Sequence, residues 1–380
     1  MKVVISGGHI TPALAVIEAF HRLYPKTELI FIGREYAQEK EQIKAKERSE
    51  VERRGVPFFA IKAAKVHRTY FWRNLGEVIK FFPSLNRVYR IFKQEKPDVF
   101  LSFGGYLAVP IALVSKLMHV PVITHEQTRA AGLANTLIAQ MADLVAVSYE
   151  RTRDSFPKKK VVVTGNPLRP AFRRTDHKKP AWLQVPTGMP LIYVTGGSQG
   201  SHVLNQNLSR IVSELVTKAV VVHQCGSSND STYLHEMETA RATLPKAEQK
   251  RYIVREWIAE EHVAWLFQHA TVVVARSGAN TVLEVAASST PAIFIPLPFA
   301  HDNEQLKNAQ WLATAGSAAI LQQKDLTAQS LSASIFAALE KQAEMKKHAE
   351  AVSKEVILNS DERLAELCVK LYEQATQPIS

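Results

Sequence analysis

The chain has 380 residues, enough for two or three domains with cores of their own. Its 46% hydrophobic and 22% charged content exclude a disordered protein, and its two cysteines, Cys225 and Cys368, exclude a disulfide framework and fit a reducing compartment. The net charge of +11 lies wholly within Met1–Asn166, the remainder being balanced, which points to an anionic partner unless it is merely a basic surface.

Met1-Lys2 leads straight into the strand Val3-Val4-Ile5, so no secretory leader is expected. The strand ends in a glycine turn, Ser6-Gly7-Gly8-His9, which opens a helical pattern. A second strand covers Leu29–Ile32, and the mixed charges from Glu35 to Arg54 predict a solvated surface helix. Further strands are expected at Val99–Phe103, Val120–Thr124, Leu144–Val147 and Val161–Thr164. The apolar stretch Leu107–Thr124 is interrupted by Pro110, Lys116, His119 and Pro121 and does not read as a membrane span. Gly165-Asn166-Pro167 marks a turn and a domain boundary, giving a first domain over 1–166 and a second over 167–354.

After an irregular stretch from Pro180 to Pro190, the pattern starts again. The strand Leu191–Thr195 ends in Gly196-Gly197-Ser198-Gln199-Gly200, and strands follow at Val220–Val222, Thr271–Val274 and Ala292–Ile295. Runs that are apolar at nearly every position suit parallel strands buried on both faces. Their alternation with helices predicts an α/β fold of two doubly wound, Rossmann-like domains facing each other across a cleft. An amphipathic helix over about 355–380 is expected to pack back on the first domain.

Each glycine turn feeds a helix, so each points free backbone N–H groups beyond its strand end, as a diphosphate requires. Arg276-Ser277-Gly278-Ala279 through Glu284 is a third such helix start. Glu284 there is either a capping glutamate or a bidentate acceptor for two ribose hydroxyls. His125-Glu126 follows a strand in the place where open α/β sheets hold ligands, and with His9 it makes a candidate acid–base group. Phe103-Gly104-Gly105-Tyr106 is another strand-end turn. The first turn lacks G-x-G-x-x-G and no acidic residue closes the second strand after Ile32, so a nicotinamide enzyme is not expected. Metal-ligand spacings are absent, and neither metal nor cofactor is expected. Arg68-Thr69-Tyr70-Phe71-Trp72-Arg73, with Lys80-Phe81-Phe82 and Arg87, interleaves bases with aromatics. That pattern suits a peripheral membrane site, with buried core and single-stranded nucleic acid as the other readings. No recognition motif accompanies the charge, so nucleic acid is not an expected partner.

In order along the chain, these motifs resemble one family, the MurG glycosyltransferases. Ser6-Gly7-Gly8-His9 with Pro12-Ala13-Leu14-Ala15 is similar to the end of its G-G-T-G-G-H-x-x-P-A-L-A. Phe103-Gly104-Gly105-Tyr106 with Pro110 is similar to G-G-Y-x-x-x-P, and His125-Glu126-Gln127 with Gly132-Leu133 and Asn135 to H-E-Q-N-x-x-x-G-L-x-N. Gly165-Asn166-Pro167-Leu168-Arg169 resembles G-N-P-V-R, and Gly196–Gly200 matches G-G-S-Q-G. Arg276–Glu284 resembles R-S-G-A-x-T-x-x-E, and Asp302, Gln305 and Asn308-Ala309 resemble D-x-x-Q-x-x-N-A. The chain departs at Val4-Ile5, where the family has two glycines, at Ser6 for threonine, at Thr128 for asparagine, and at Glu304.

The resemblance implies a GT-B fold and an inverting, metal-independent transfer of N-acetylglucosamine. The donor is UDP-GlcNAc, the acceptor the polyprenyl-diphosphate-linked muramoyl-peptide lipid I, and the product the peptidoglycan precursor lipid II. It implies work at the cytoplasmic face of the inner membrane, against an anionic surface met by Arg68, Tyr70, Phe71, Trp72 and Arg73. Donor contacts would come from Ser6, Gly7, Gly8, Thr128, Arg169, Ser198, Gln199, Ile258, Arg276, Ala279, Asn280, Thr281, Val282, Leu283, Glu284 and Gln305. Tyr106 and Asn135 would stand on the acceptor side, with His9, Glu126 and His125 catalytic and the base being His9 or Glu126. A UDP-GlcNAc 2-epimerase and a non-catalytic sugar-nucleotide or lipid-binding relative are the rival readings.

Overall fold

The computed structural model describes residues 1–8, 10–34, 36–38, 43–44, 46–61, 75–129, 131–227, 232–299 and 303–377. The chain divides into two compact units, Met1–Arg169 with Ile357–Ser380, and Pro170–Val356.

The first unit runs β1 (Lys2–Gly7), α1 (Ile10–Leu23), β2 (Glu28–Arg34), β3 (Tyr36–Gln38), β4 (Ile43–Lys44), α2 (Lys46–Glu52) and β5 (Phe58–Ile61). It continues with α3 (Leu75–Glu95), β6 (Val99–Phe103), α4 (Ala108–Leu117), β7 (Val122–Glu126), α5 (Leu133–Met141), β8 (Leu144–Val147) and β9 (Val161–Val163). Seven strands form a parallel sheet in the order β5-β2-β1-β6-β7-β8-β9. β6 and β7 are buried at every residue; β6 is accordingly apolar but for Ser102, whereas β7 carries Thr124, His125 and Glu126 into the interior. Each fully buried side chain among Phe100, Leu101 and Phe103 contributes roughly 1.5–3 kcal/mol. One apolar cluster, with Val4, Phe92, Ile111 and Val145, lies on one face of the sheet, and another, with Ile5, Phe20, Phe31 and Leu101, on the other.

The second unit runs β10 (Leu191–Thr195), α6 (His202–Lys218), β11 (Val220–Gln224), α7 (Thr232–Ala242), α8 (Lys246–Gln249), β12 (Tyr252–Arg255), α9 (Glu260–His269) and β13 (Val272–Ala275). Then come α10 (Ala279–Ala287), β14 (Ala292–Phe294), α11 (Glu304–Thr314), β15 (Ala318–Ile320), α12 (Ala328–Glu340) and α13 (Gln342–Ser353). Its parallel sheet has the order β12-β11-β10-β13-β14-β15. The last helix, α14 (Ser360–Thr376), returns to the first unit and buries Leu364, Ala365 and Cys368 in its core, with Arg22 of α1 bonded to Glu362 at 2.6 Å.

Two expectations need correction. Glu35–Arg54 is not one solvated helix: its described residues form the β3–β4 pair and the short α2, which buries Val51 and Glu47. The strand expected at Val120–Thr124 begins at Val122, whose N–H donates to Asp143 Oδ2, and extends through Glu126. Pro121 has no N–H for the ladder. His125 and Glu126 therefore pair with Ala146 and Val147 inside the sheet instead of standing beyond it.

Candidate active site

In each sheet the strand order reverses next to the first strand of the unit, between β1 and β6 and between β10 and β13. The crevice outside the carboxyl ends at such a reversal is where open α/β sheets hold ligands. The glycine turns stand there in both units.

At the first reversal the turns pack backbone on backbone. Gly8 N–H donates to Gly104 O at 3.0 Å, and a Cβ on Gly105, whose φ is 80°, would lie 3.0 Å from Gly8 Cα. Only glycines permit that approach. Beneath the turns lies a buried polar network. Ser102 Oγ accepts from Gly104 N–H at 3.1 Å and meets Thr124 Oγ1 at 3.3 Å, and Thr124 donates to Asn135 Oδ1 at 2.9 Å. Asn135 Nδ2 donates to Glu126 Oε2 at 2.8 Å and to His125 O at 3.2 Å. Glu126 also accepts from Gly132 N at 2.9 Å, Thr128 N at 3.0 Å and Thr128 Oγ1 at 2.8 Å.

These contacts revise several roles. Glu126 is 2% exposed, and four donors from Thr128, Gly132 and Asn135 engage both its oxygens, so it ties the turn to α5 and does not stand as a free base. His125 is fully buried, with Nε2 on Gly165 O at 2.8 Å and its ring edge-on to Phe103. Asn135 and Thr128 are buried too, and both donate to the Glu126 carboxylate. Ser6 is fully buried in β1, its hydroxyl without a hydrogen-bond partner among the described residues. Gly7 and Gly8 offer backbone only, and Tyr106 is half-buried beside the core. His9 lies outside the described residues, as do Arg68, Tyr70, Phe71, Trp72 and Arg73.

At the second reversal the glycine turn also packs on backbone, where a Cβ on Gly226 would run into Gly200 Cα, but its tip is exposed. Ser198 and Gln199 are exposed, and Gly197 N–H donates to Thr195 Oγ1 at 3.0 Å. α6 starts after Ser201 and α10 after Gly278, and neither helix has a side-chain cap. Val282 N–H is bonded to Gly278 O, so the N–H groups of Ala279, Asn280 and Thr281 precede the first intrahelical bond and face outward along the axis. Neighbouring strands β10 and β13 thus present two helix N-termini side by side, a place for a negatively charged group. Glu284, one turn in, is 4% exposed.

Here too some roles change. Arg276 is committed to the protein: Nη1 donates to Ile295 O at 3.0 Å, and Nη2 to Ser201 Oγ and Gln323 Oε1, both at 2.7 Å. It braces the turn before α6, and burial pushes its guanidinium below the usual range. Val282 and Leu283 point into the core, so only the helix backbone could serve a ligand there. Ile258 is buried beside the exposed Trp257 and likewise offers its main chain. Gln305 Oε1 accepts from Leu297 N–H at 3.0 Å, leaving its amide nitrogen as the group a sugar could meet. Arg169 is the last residue of the first unit.

Residues 3–147 match the glycosyltransferase family 28 N-terminal domain, and residues 191–367 the family 28 C-terminal domain. The UDP-N-acetylglucosamine–N-acetylmuramyl-(pentapeptide) pyrophosphoryl-undecaprenol N-acetylglucosamine transferase of Listeria monocytogenes serotype 4b is 30% identical over 351 residues, covering 91% of this chain and 92% of that protein. The crystal structure of Acinetobacter baumannii MurG superposes with a TM-score of 0.74 at 25% identity, over 97% of this chain and 99% of the other. The chain belongs to the MurG family. A UDP-GlcNAc 2-epimerase from Neisseria meningitidis, at 13% identity and a TM-score of 0.63 over 97% of this chain and 100% of its own, shares the fold alone.

For this MurG-family chain the sequence motifs marked the turns but missed what holds them. Ser102 and Thr124 were legible as lone hydroxyls near the ends of apolar strands, where a buried polar group must find a partner. Gln127, inside the His125-Glu126-Gln127 motif, donates its amide to Phe103 O and His125 O; Arg129, whose guanidinium lies 4.3 Å over the Tyr149 ring, was marked by no motif.

Proposed function

We propose that the chain transfers N-acetylglucosamine from UDP-N-acetylglucosamine to a muramoyl-peptide carried on undecaprenyl diphosphate, forming a β link and completing lipid II. The observation that carries this reading is the pair of uncapped helix starts, α6 and α10, beside the exposed Ser198-Gln199 turn. With family membership, that geometry fits a nucleoside diphosphate in the second unit. Donors aimed where charge builds on a departing diphosphate stabilise the transition state more than the ground state. Ser198, Gln199, Arg169 and the N–H groups of Ala279–Thr281 would hold the diphosphate, and Glu284 the ribose hydroxyls. The Ile258 main chain would meet the uracil, and Gln305 the sugar.

The first unit would present the acceptor. Its sugar hydroxyl attacks the anomeric carbon from the face opposite UDP; the new C–O bond forms as the old one breaks, and its electron pair leaves with UDP. The hydroxyl proton goes to a base. We assign that base to His9, the residue that follows Gly7-Gly8 in the sequence, because Glu126 and His125 are engaged inside the unit. No described helix is long and apolar enough to cross a membrane. Arg68, Tyr70, Phe71, Trp72 and Arg73 would attach the chain peripherally to an anionic, cytoplasmic membrane face.

The experiment is transfer of labelled N-acetylglucosamine to a lipid-linked muramoyl-peptide in anionic vesicles, with EDTA present. A β-linked product that sediments with the vesicles, and a loss of about 10²–10⁴-fold in kcat for His9→Ala, are expected. Epimerised or hydrolysed donor without product would overturn the reading, and full activity of His9→Ala would remove the base.

A further inference from the structure

The chain passes between its two units twice, after Arg169 and after Val356, and within the first unit the approaches to these crossings touch. Gly165 has φ of 82°, and a Cβ there would run into Ser360 Oγ and lie 2.7 Å from Ile357 Cβ. Glycine alone lets the first crossing lie this close to the second. Ser360 Oγ donates to Ile357 O at 2.7 Å, closing the turn that opens α14.

The Gly165 carbonyl is held from the other side. It accepts from Thr164 Oγ1 at 3.1 Å and from His125 Nε2 at 2.8 Å. A carbonyl can only accept, so Nε2 carries the hydrogen. Ser148 Oγ lies 3.5 Å from the same nitrogen and donates to Glu126 O at 2.8 Å. The ring of His125 meets Phe103 edge-on, with centroids 5.5 Å apart, and Phe103 is the residue from which the Gly104-Gly105 turn departs. One unbroken line of contacts thus runs from the paired crossings through His125 to the turn packed on Gly8.

We propose that His125 is a positioning residue that latches the paired crossings to the strand-end turns of the first unit. The path on which the chain leaves for the second unit and the shape of the acceptor-side turns are then set by one side chain. Histidine suits the task because it combines a directed N–H with an aromatic ring that packs against Phe103. This inference rests on the proposed transfer for its kinetic arm only.

The test is hydrogen exchange of the full chain beside transfer kinetics. His125→Leu keeps apolar bulk and removes the N–H. Exchange over 163–167 and 356–361 is expected to quicken about tenfold, with kcat down about tenfold and the donor KM within about twofold. His125→Gln, whose amide can still donate to Gly165 O, is expected to restore protection and most of kcat, with the pH profile of kcat/KM unchanged. Unchanged exchange at both crossings in His125→Leu would overturn the proposal. So would a glutamine variant as inactive as leucine with one limb of the pH profile gone, the mark of a residue that moves a proton. Should His125→Leu fail to fold, Ile357→Ala loosens the contact from the α14 side; quickened exchange over 163–167 is expected, and none there overturns the latch. A wild-type chain without transfer would sink the function while leaving the exchange result standing.

Discussion

The two strand-order reversals share a topology and differ in what lies beneath them. Under the first, Ser102, Thr124, Asn135 and Glu126 form a closed polar floor, and the exposed surface above it is glycine backbone. At the second, two helix starts stand without side-chain caps, and Arg276 braces Ser201 at the start of α6. The same fold can therefore build a shaped, rigid shelf or an open cradle of donors. Which one it builds depends on whether local side chains or an incoming ligand satisfy the backbone.

The floor can be broken directly. Glu126→Ala leaves four buried donors without their acceptor and should destabilise the first unit by about 3–5 kcal/mol, read by urea unfolding, with the second unit's UDP affinity unchanged. A loss below about 1 kcal/mol would mean that the network is not a support.

Acidity separates the units next. Burial raises the Glu47 carboxyl of the first unit to about 7, against the lowering effect of Arg34, and burial pushes the His223 imidazole of the second down to about 3. In the folded first unit Glu47 keeps a proton that the unfolded chain releases, so stability falls as pH rises from about 4.5 to about 7. His223, neutral between Tyr252 Oη and Asn205 Oδ1, does the reverse, and stability falls as pH drops below about 6.5. Between pH 5 and 7.5 each effect is worth about 2 kcal/mol. Hydrogen exchange corrected for intrinsic rates should show the first unit better protected at pH 5 and the second at pH 7.5, with Glu47→Gln flattening the first slope. Parallel slopes would rule this out.

The smallest expected effect sharpens the cradle. Arg276→Met removes the brace on Ser201 and the Ile295 carbonyl, and should weaken UDP binding about tenfold by calorimetry while leaving the first unit's unfolding unchanged. Unaltered affinity would show that the turn before α6 holds itself.

Much of this was legible in the chain because parallel strands buried on both faces write themselves as apolar runs. Val99–Phe103, Leu144–Val147 and Leu191–Thr195 were read with the bounds they have. The edge strands β5, β12 and β15 were not, since each is only three or four residues long and partly exposed, too short to show a strand period. Motif order located the turns, but not the direction of side chains within them. His125, Glu126 and Arg276 read as ligand-facing residues, yet each finds its partners inside the protein, and only three-dimensional placement could pair His125 with a carbonyl forty residues away.

The first unit is interrupted in sequence: its sheet is complete by Val163, yet the helix that covers Val16 and Phe20 comes after the whole of Pro170–Val356. A ribosome releases the second unit before that helix exists. Synthesis thus begins the first core long before it can be closed, and the apolar face of α1 waits through the making of an entire domain for its cover.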